Sequence, residues 1–330
     1  MADEFQLIAD LFAPLAAGFP GALGLKDDAA LLAAEPGFET VVTVDAMVAG
    51  IHFLPDDPPD LIARKLVRVN LSDLAAKGAV PFAVLLAAAF PRDVSDDWLR
   101  RFADGLAMDL REFGVALIGG DTVATPGPLT LSLTALGRVS AGRALLRSSA
   151  RVGDTVWVSG TIGDGMLGLA AARGDLGGVS PAELATLADR YRLPRPRVTL
   201  GPSLIGVAHA AMDVSDGLVQ DLGHLCRASA VGAVIDAGAV PLSVAALAAN
   251  TPLASLLAGG DDYELLFTAP SQAAAALLVL AESAGVPVSA IGRIVEGEGV
   301  TVVDAAGHPL ALGQGGWRHF GSDKGESWPV

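Results

Sequence analysis

Short valine-rich runs alternate with longer alanine- and leucine-rich stretches along most of the chain, and this alternation limits the possible folds more than any other feature. The valine-rich runs predict strands at residues 41–45, 116–118, 129–136, 155–159 and 264–268. The other stretches predict helices at residues 61–66, 98–113, 165–173, 182–190, 217–228 and 272–284. The uncharged stretch 237–260, broken by prolines, is interpreted as buried helices. The mixture predicts an α/β protein built of α+β layers.

A length of 330 residues favours two domains. A polar turn at residues 147–153 separates two apolar strands, so we expect an N-terminal α/β domain at 1–148 and a C-terminal α/β domain at 149–330. Two short motifs occur in the first half of the chain and recur in the same order in the second. Asn70-Leu-Ser-Asp73 is echoed by Asp213-Val-Ser-Asp216, and Gly119-Gly-Asp121 by Gly259-Gly-Asp261. Both members of the first pair are expected to precede a helix. The echoes indicate an ancient duplication with two related halves.

Aspartates occur repeatedly beside apolar runs. Asp45, Asp121, Asp213 and Asp261 each follow one, directly or after a glycine pair, while Asp28 and Asp73 precede one. Strand ends in an open α/β sheet face one crevice, so these carboxylates are expected to converge there. Oxygen-only ligands select hard cations, Mg²⁺ above all. The alternative is that each aspartate caps a helix or a turn.

Glycines offer two further candidate phosphate sites. The pairs Gly119-Gly120 and Gly259-Gly260 either expose N–H groups to phosphate oxygens or form tight turns. Gly163-Asp-Gly-Met-Leu-Gly168 matches GxGxxG after a predicted strand, which keeps a nicotinamide-dependent oxidoreductase open as an alternative. The acidic residue expected ~20 positions later at a strand end is missing, so we interpret this loop as a helix entry.

Composition excludes several classes of function. The chain has 22 basic and 37 acidic residues, a net charge of −15 that repels nucleic-acid phosphates. A single cysteine, Cys226, excludes an intramolecular disulfide framework and fits a reducing compartment. An acidic start and the short apolar run at 80–90 give no export or membrane signal. We therefore expect a soluble, cytoplasmic protein without membrane or nucleic-acid partners.

Seven sequence motifs, taken in their order along the chain, resemble those of the thiamine-monophosphate kinase family, which belongs to the aminoimidazole ribonucleotide synthetase-like superfamily. They are Asp27-Asp-Ala-Ala, Thr43-Val-Asp45 with His52-Phe53, Asn70-Leu-Ser-Asp73-Leu-Ala-Ala, Gly119-Gly-Asp121-Thr122, Gly142-Arg-Ala-Leu-Leu-Arg147, Asp213-Val-Ser-Asp216-Gly-Leu and Gly259-Gly-Asp261-Asp-Tyr-Glu-Leu. The resemblance implies two α/β domains of that superfamily's type. It also implies transfer of the ATP γ-phosphoryl group to thiamine monophosphate, giving thiamine diphosphate and ADP. Another ATP-dependent member of the superfamily remains the alternative.

The resemblance also implies residue roles. Its Mg²⁺ ligands, several ions in all, fall on Asp28, Thr43, Val44 through its backbone, Asp45, Asp73, Asp121, Asp213 and Asp216. Its ATP contacts fall on Gly120, Asp121, Arg147 and Ser215, and its thiamine-phosphate contacts on His52, Asp261 and Trp317. No protein nucleophile is expected, and the family forms homodimers through the N-terminal domain. Lys26 and Lys77 depart from the family's usual residues.

Overall fold

The structure, a computed structural model, describes residues 4–27 and 29–312, in which ten α-helices surround two β-sheets. The helices are α1 (Glu4–Leu7), α2 (Pro59–Ala76), α3 (Asp96–Phe113), α4 (Asp164–Arg173), α5 (Pro181–Arg192), α6 (Leu200–Ser203), α7 (Leu218–Ser229), α8 (Val244–Ala248), α9 (Leu253–Ala258) and α10 (Ala274–Ala284). Short turns of 3₁₀ or π helix link several of them. The predicted mixture of helices and strands is confirmed.

The first sheet has four strands in the order β1-β4-β2-β3. They are β1 (Phe38–Val48), β2 (Val80–Pro91), β3 (Ala116–Thr125) and β4 (Thr130–Ser140). Only β2 and β3 are parallel, and α3 makes the crossover between them. One face of this sheet packs against α2 and α3. The opposite face is partly open, and β1 is an edge strand.

The second sheet has six strands in the order β10-β7-β9-β5-β8-β6. They are β5 (Thr155–Ser159), β6 (Ala210–Val214), β7 (Gly232–Asp236), β8 (Glu264–Ala269), β9 (Val288–Val295) and β10 (Gly299–Val303). Successive side chains enter different cores, as the two-residue period of a strand requires. Val156 and Val158 pack with α7, whereas Trp157 stacks on Phe267 on the face nearer α2.

Helix α2 joins the two sheets. Pro59 occupies its first turn, where a missing N–H costs nothing, and the chain leaves it at Gly78 with φ +70°. Leu66 and Leu71 belong to the core of the first sheet, whereas Ala75 lies in a core of the second. Seven of the 18 residues of α2 are polar or charged, and because the helix is buried on most sides, the enclosed ones must find partners within the protein.

The repeated sequence motifs do not occupy equivalent positions in the secondary structure. Asn70–Asp73 lies inside α2 rather than before a helix, whereas the motif at residues 213–216 spans the end of β6 and the turn into α7. Gly119–Asp121 lies inside β3, whereas the motif at residues 259–261 forms a loop after α9. The expectation that both members of the first pair precede a helix is therefore wrong for Asn70–Asp73, and the duplication stays a prediction.

Two further expectations need correction. Asp45 and Asp121 lie within β1 and β3, not beyond their ends, because both strands continue well past the apolar runs that predicted them. The stretch 237–260 forms a 3₁₀ turn (Ala237–Ala239) and the short helices α8 and α9, and Val244 and Leu247 on α8 are exposed rather than buried. Within the described residues, no helix is long and apolar enough to cross a membrane.

A buried ion pair connects α2 to α3. The Asp109 carboxylate accepts hydrogen bonds from Arg68 at 2.6 and 3.0 Å and from Arg64 at 2.7 Å, and Asp109 is fully buried. Arg68 also donates to the carbonyl oxygen of Pro194, beyond α5, at 3.2 Å. The carboxylate is thus the buried counter-charge for both guanidinium groups.

We expect Asp109→Asn to destabilise the protein by about 3 kcal/mol, because removing one member of a buried pair leaves an uncompensated charge. The matched control is Asp60→Asn, which breaks the exposed Arg101–Asp60 pair and should cost less than about 1 kcal/mol. Urea unfolding of the three proteins measures both values. Equal costs for the two variants would contradict a structural role for Asp109.

Candidate active site

Four of the predicted aspartates gather where α2 meets β1 and β6. The Thr43 hydroxyl donates to the Asp73 carboxylate at 2.5 Å, and the Ser72 hydroxyl donates to Asp213 at 2.7 Å. The amide N–H of Asp45 donates to the Asn70 side chain at 3.1 Å. Residues 70, 72 and 73 of α2 therefore touch strands of both sheets. Asp216 completes the group from the turn after β6.

The electrostatics show that these carboxylates act on one another. Burial, and then Asp73 and Asp216, raise the pKa of Asp45 to about 6. Burial, and then Asp73, raise the pKa of Asp213 to about 7, although the Ser72 hydrogen bond opposes that shift. Concentrated negative charge of this kind requires cations nearby when the groups are ionised.

The loop that carries Ser215 and Asp216 is held by Asp221, a residue that our sequence reasoning missed. The Asp221 carboxylate accepts backbone hydrogen bonds from Ser215, Asp216 and Gly217 at 3.0–3.1 Å. Burial and Asp216 raise the pKa of Asp221 to about 7, against those three hydrogen bonds. An aspartate in the first turn of α7 was the available signal, since such residues commonly bind free N–H groups at a helix start.

The donor chemistry of this cluster fits a hard divalent cation. Thr43, Asp45, Asp73, Asp213 and Asp216 offer only oxygen atoms, the ligands that Mg²⁺ prefers. In the conformation described for residues 4–27 and 29–312, no three histidine, cysteine, aspartate or glutamate side chains already surround a common metal position. Val44 has no side-chain donor, and its side chain lies on the opposite face of β1 from Asp45. Asp28 lies outside the described residues.

Asp121 does not join the other four within one chain. Cross-strand partners share a sheet face, and Asp45 is in line with Leu133, Leu86 and Gly120. Asp121 follows Gly120 and therefore projects from the other face of the sheet. Three strand spacings of ~4.8 Å separate the two backbones by about 14 Å. The expectation that all these aspartates share one crevice is thus not met within a single chain.

Gly120 and Asp121 line a cavity of about 380 Å³ at the β3 edge, beneath the N-terminal segment. A Cβ on Gly120 would lie 2.0 Å from the carbonyl oxygen of Leu86, so only glycine fits there. Arg147 is exposed in a turn, and its backbone carbonyl accepts from Ser229. Lys77 donates to the carbonyl oxygen of Ala211, and burial followed by Arg147 lowers its pKa.

The two described residues expected to contact thiamine phosphate, His52 and Asp261, meet at a buried lysine. Lys65 of α2 donates to the His52 carbonyl oxygen at 2.9 Å and lies 3.5 Å from the Asp261 carboxylate. Its ammonium is 3.6 Å from the centre of the Tyr191 ring, and the Tyr191 hydroxyl donates to the same His52 carbonyl. Our sequence reasoning missed Lys65 and Tyr191. A lysine inside the predicted helix at 61–66 was the only signal. Trp317 lies outside the described residues.

The GxGxxG loop has a structural explanation. The amide N–H groups of Gly163 and Gly165 donate to the Asp262 carboxylate at 2.7 and 2.9 Å. A Cβ on Gly165 would lie 2.3 Å from the Asp261 backbone, and one on Gly168 would lie 2.2 Å from the Leu187 carbonyl oxygen. The interpretation as a helix entry therefore agrees with the contacts, because the amides that would bind a pyrophosphate already bind Asp262.

Comparison with known proteins places the chain among relatives along nearly its whole length. Residues 26–139 match the family "AIR synthase related protein, N-terminal domain", and residues 151–305 match the corresponding C-terminal domain. The thiamine-monophosphate kinase of Caulobacter vibrioides is 47% identical over 323 residues, which cover 96% of this chain and 90% of the relative.

Two solved structures are similar in fold and sequence. The crystal structure of thiamine-monophosphate kinase from Stenotrophomonas maltophilia K279a is 44% identical, with a TM-score of 0.77, covering 84% of this chain and 89% of that one. A structure of AaThiL complexed with AMPPCP and TMP is 28% identical, with a TM-score of 0.77, covering 96% and 94%.

We expect Asp213→Asn to leave the metal-free protein no less stable, with a melting temperature unchanged or higher by about 2–4 °C. Asparagine keeps an acceptor for Ser72 while removing one charge from the cluster. The folded-state pKa of about 7 lies above the ordinary 3.8, so ionisation of Asp213 costs the wild type stability as pH rises. The stability of the metal-free variant relative to the wild type should therefore increase between about pH 5 and about pH 8.

Thermal unfolding in EDTA at both pH values measures this effect, with Asp109→Asn as the control for the same substitution at a paired site. A large fall in melting temperature for both variants would show that Asp213, like Asp109, is a structural residue.

Proposed function

The chain belongs to the thiamine-monophosphate kinases of the AIR synthase-related family, and from this premise we propose that it transfers the γ-phosphoryl group of ATP to thiamine monophosphate. One observation carries the proposal for this chain. Helix α2 links the all-oxygen carboxylate cluster, through Ser72 and Asp73, to His52 and Asp261, through Lys65. A cation and phosphate region thus lies beside a region for the organic part of an acceptor.

The reaction we propose is a direct in-line transfer. A phosphate oxygen of thiamine monophosphate attacks the γ-phosphorus, and the bond from that phosphorus to the β–γ bridging oxygen breaks, giving thiamine diphosphate and ADP. No protein nucleophile is required, and Cys226 is buried with a pKa raised to about 11 by burial. Catalysis then consists of holding the two phosphates in line and stabilising their charge.

We propose that Asp28, Thr43, Val44, Asp45, Asp73, Asp121, Asp213 and Asp216 hold Mg²⁺. When bound, the ions would neutralise charge on the phosphates of the two substrates. The all-oxygen donor set and the raised pKa values of Asp45 and Asp213 support this assignment. We further propose Gly120, Asp121, Arg147 and Ser215 as ATP contacts, and His52, Asp261 and Trp317 as contacts to thiamine monophosphate.

We propose that the protein is a homodimer formed through the open face of the first sheet. Phe38, Val42 and Val44 on β1 and Val123 on β3 project from this face, and their side chains are exposed at 44–60%. An exposed apolar face on an edge strand favours burial against another copy. Asp121 projects from the same face, and a dimer in which the partner's sheet extends past the edge strand β1 would bring Asp121 of the partner subunit to the carboxylate cluster on the other face of β1.

We also propose a reducing, cytoplasmic location, supported by the single buried cysteine. Cell fractionation against a periplasmic and a membrane marker checks it, and recovery outside the cytoplasmic fraction would contradict it.

We expect ADP release in a coupled assay with ATP and Mg²⁺ when thiamine monophosphate is the acceptor, and none above background with thiamine or aminoimidazole ribonucleotide precursors. Thiamine lacks the ionised phosphate that must accept the phosphoryl group, and the ribonucleotide precursors lack the thiamine moiety that we propose His52 and Asp261 to contact. Without acceptor, γ-labelled ATP should leave the denatured protein unlabelled. Faster turnover of another acceptor than of thiamine monophosphate would contradict the proposed function. A stoichiometric label on the protein would contradict the direct mechanism.

We expect Asp73→Asn and Asp121→Asn each to lower the rate about 10²–10³-fold as homodimers, because each removes one preorganised charge. A heterodimer of the two variants, purified through two different tags, should recover about half the wild-type activity. One of its two sites would then combine a wild-type cluster with Asp121 of the partner subunit.

The matched control is the heterodimer of Asp73→Asn with Asp213→Asn, whose two lesions belong to the same cluster and which should remain inactive. Recovery in neither heterodimer would show that Asp121 acts within its own chain. A monomer mass by light scattering at micromolar concentration would refute the dimer itself.

A further inference from the structure

Lys65 is a buried cation that the proposed phosphoryl transfer does not use. Its side chain is 3% exposed, too enclosed for direct contact with a phosphate. Burial lowers the pKa of Lys65 while the Asp261 carboxylate raises it, so the charged form carries a desolvation cost that an apolar residue would avoid. A buried charge in this position needs an explanation beyond packing.

The partners of Lys65 come from parts of the chain far apart in sequence. The ammonium contacts the His52 carbonyl oxygen, in the turn after β1, and the Asp261 carboxylate, in the loop before β8. The face of Tyr191 from α5 covers it, and the Tyr191 hydroxyl binds the same His52 carbonyl. The Asp261 side chain is 31% exposed, so a ligand can reach it while Lys65 remains enclosed.

The loop around Asp261 has an unfavourable backbone conformation. Asp261 and Tyr263 have φ values of +68° and +51°, in the left-handed region that favours glycine. Two neighbours fix the loop: Asp262 binds the Gly163 and Gly165 amides, and Glu264 binds Arg190 and Arg197. Such conformations persist only where the surroundings impose them, and they are common at ligand sites. The loop is therefore built to present Asp261 at one place.

We propose that Lys65 is a positioning residue for the acceptor pocket, holding the Asp261 carboxylate at a fixed place relative to the His52 turn. This inference rests on the proposed function, because it takes His52 and Asp261 as contacts to thiamine monophosphate. Lys65 acts through Asp261 and the His52 turn and does not touch the reacting atoms. Its removal frees the carboxylate to turn towards solvent, so the acceptor binds more weakly while the ATP region keeps its geometry.

The test is a double-mutant cycle with Lys65→Met and Asp261→Asn. Lys65→Met should raise the KM for thiamine monophosphate about tenfold, the loss of one charge-assisted contact, and change the KM for ATP less than about twofold. In the Asp261→Asn background the same substitution should change the KM for thiamine monophosphate less than about twofold, because the group that Lys65 positions is already altered.

Tyr191→Phe is the matched control, since it keeps the ring over Lys65 and removes only the hydroxyl contact with His52. It should raise the KM for thiamine monophosphate less than about threefold. If Lys65→Met does not fold, as judged by circular dichroism and thermal unfolding, Lys65→Gln replaces it in the same cycle with the same expectations. Equal effects on both KM values, or the same increase in both backgrounds, would overturn the inference.

Failure of this inference can be separated from failure of the proposed function. Absence of ADP release by the wild-type protein with thiamine monophosphate would refute the proposed function. Calorimetric titration of thiamine monophosphate into wild type and Lys65→Met, without ATP, tests the positioning role alone. Equal affinities for the two proteins would refute that role even if the wild type is an active kinase.

Discussion

The burial of α2 between the two sheets is the constraint on which the rest of the structure depends. Its apolar side chains contribute to both cores, so neither sheet can pack fully without it. Its polar residues are placed by the same packing: Asp73 meets β1, Ser72 meets β6, and Lys65 meets the turn after β1, α5 and the loop before β8. Side chains that would be dispersed on a surface helix are thereby fixed beside one another, and the candidate site is a product of the same contacts that hold the fold together.

Positive and negative charge are divided unequally along this helix. In its first half, Arg64 and Arg68 are balanced by the buried Asp109 together with the half-exposed Glu112, the arrangement in which a buried ion pair is tolerated. Near its last turns, Asp45, Asp73 and Asp213 face one another, and burial together with mutual repulsion raises the pKa values of Asp45 and Asp213. An arrangement so unfavourable without cations is typical of a site whose ligand brings positive charge with it.

Glycines in this protein serve close packing as well as ligand approach, and sequence alone does not distinguish the two uses. Gly165 and Gly168 match a dinucleotide fingerprint, yet backbone atoms of Asp261 and Leu187 occupy the space that a side chain would need. Gly120 is as tightly constrained by Leu86 but lines a cavity. The difference lies in what the neighbouring amides contact, and that is decided by residues about a hundred positions away, such as Asp262.

The sequence by itself determined the mixture of helices and strands and most of the candidate polar residues, because hydrophobic period and turn residues are local properties. The sequence motifs around Asp45, Asp73, Asp213 and Asp261, in their order along the chain, were sufficient to indicate the family. Only the tertiary structure decided which of these side chains meet. The register of β1, β4, β2 and β3 puts Asp121 on the sheet face opposite Asp45, although both follow apolar runs. Lys65 gained its partners only when α2 was buried between elements that lie far apart along the chain. Pairing across a sheet and contact across a core depend on the whole chain, so no local pattern could specify them.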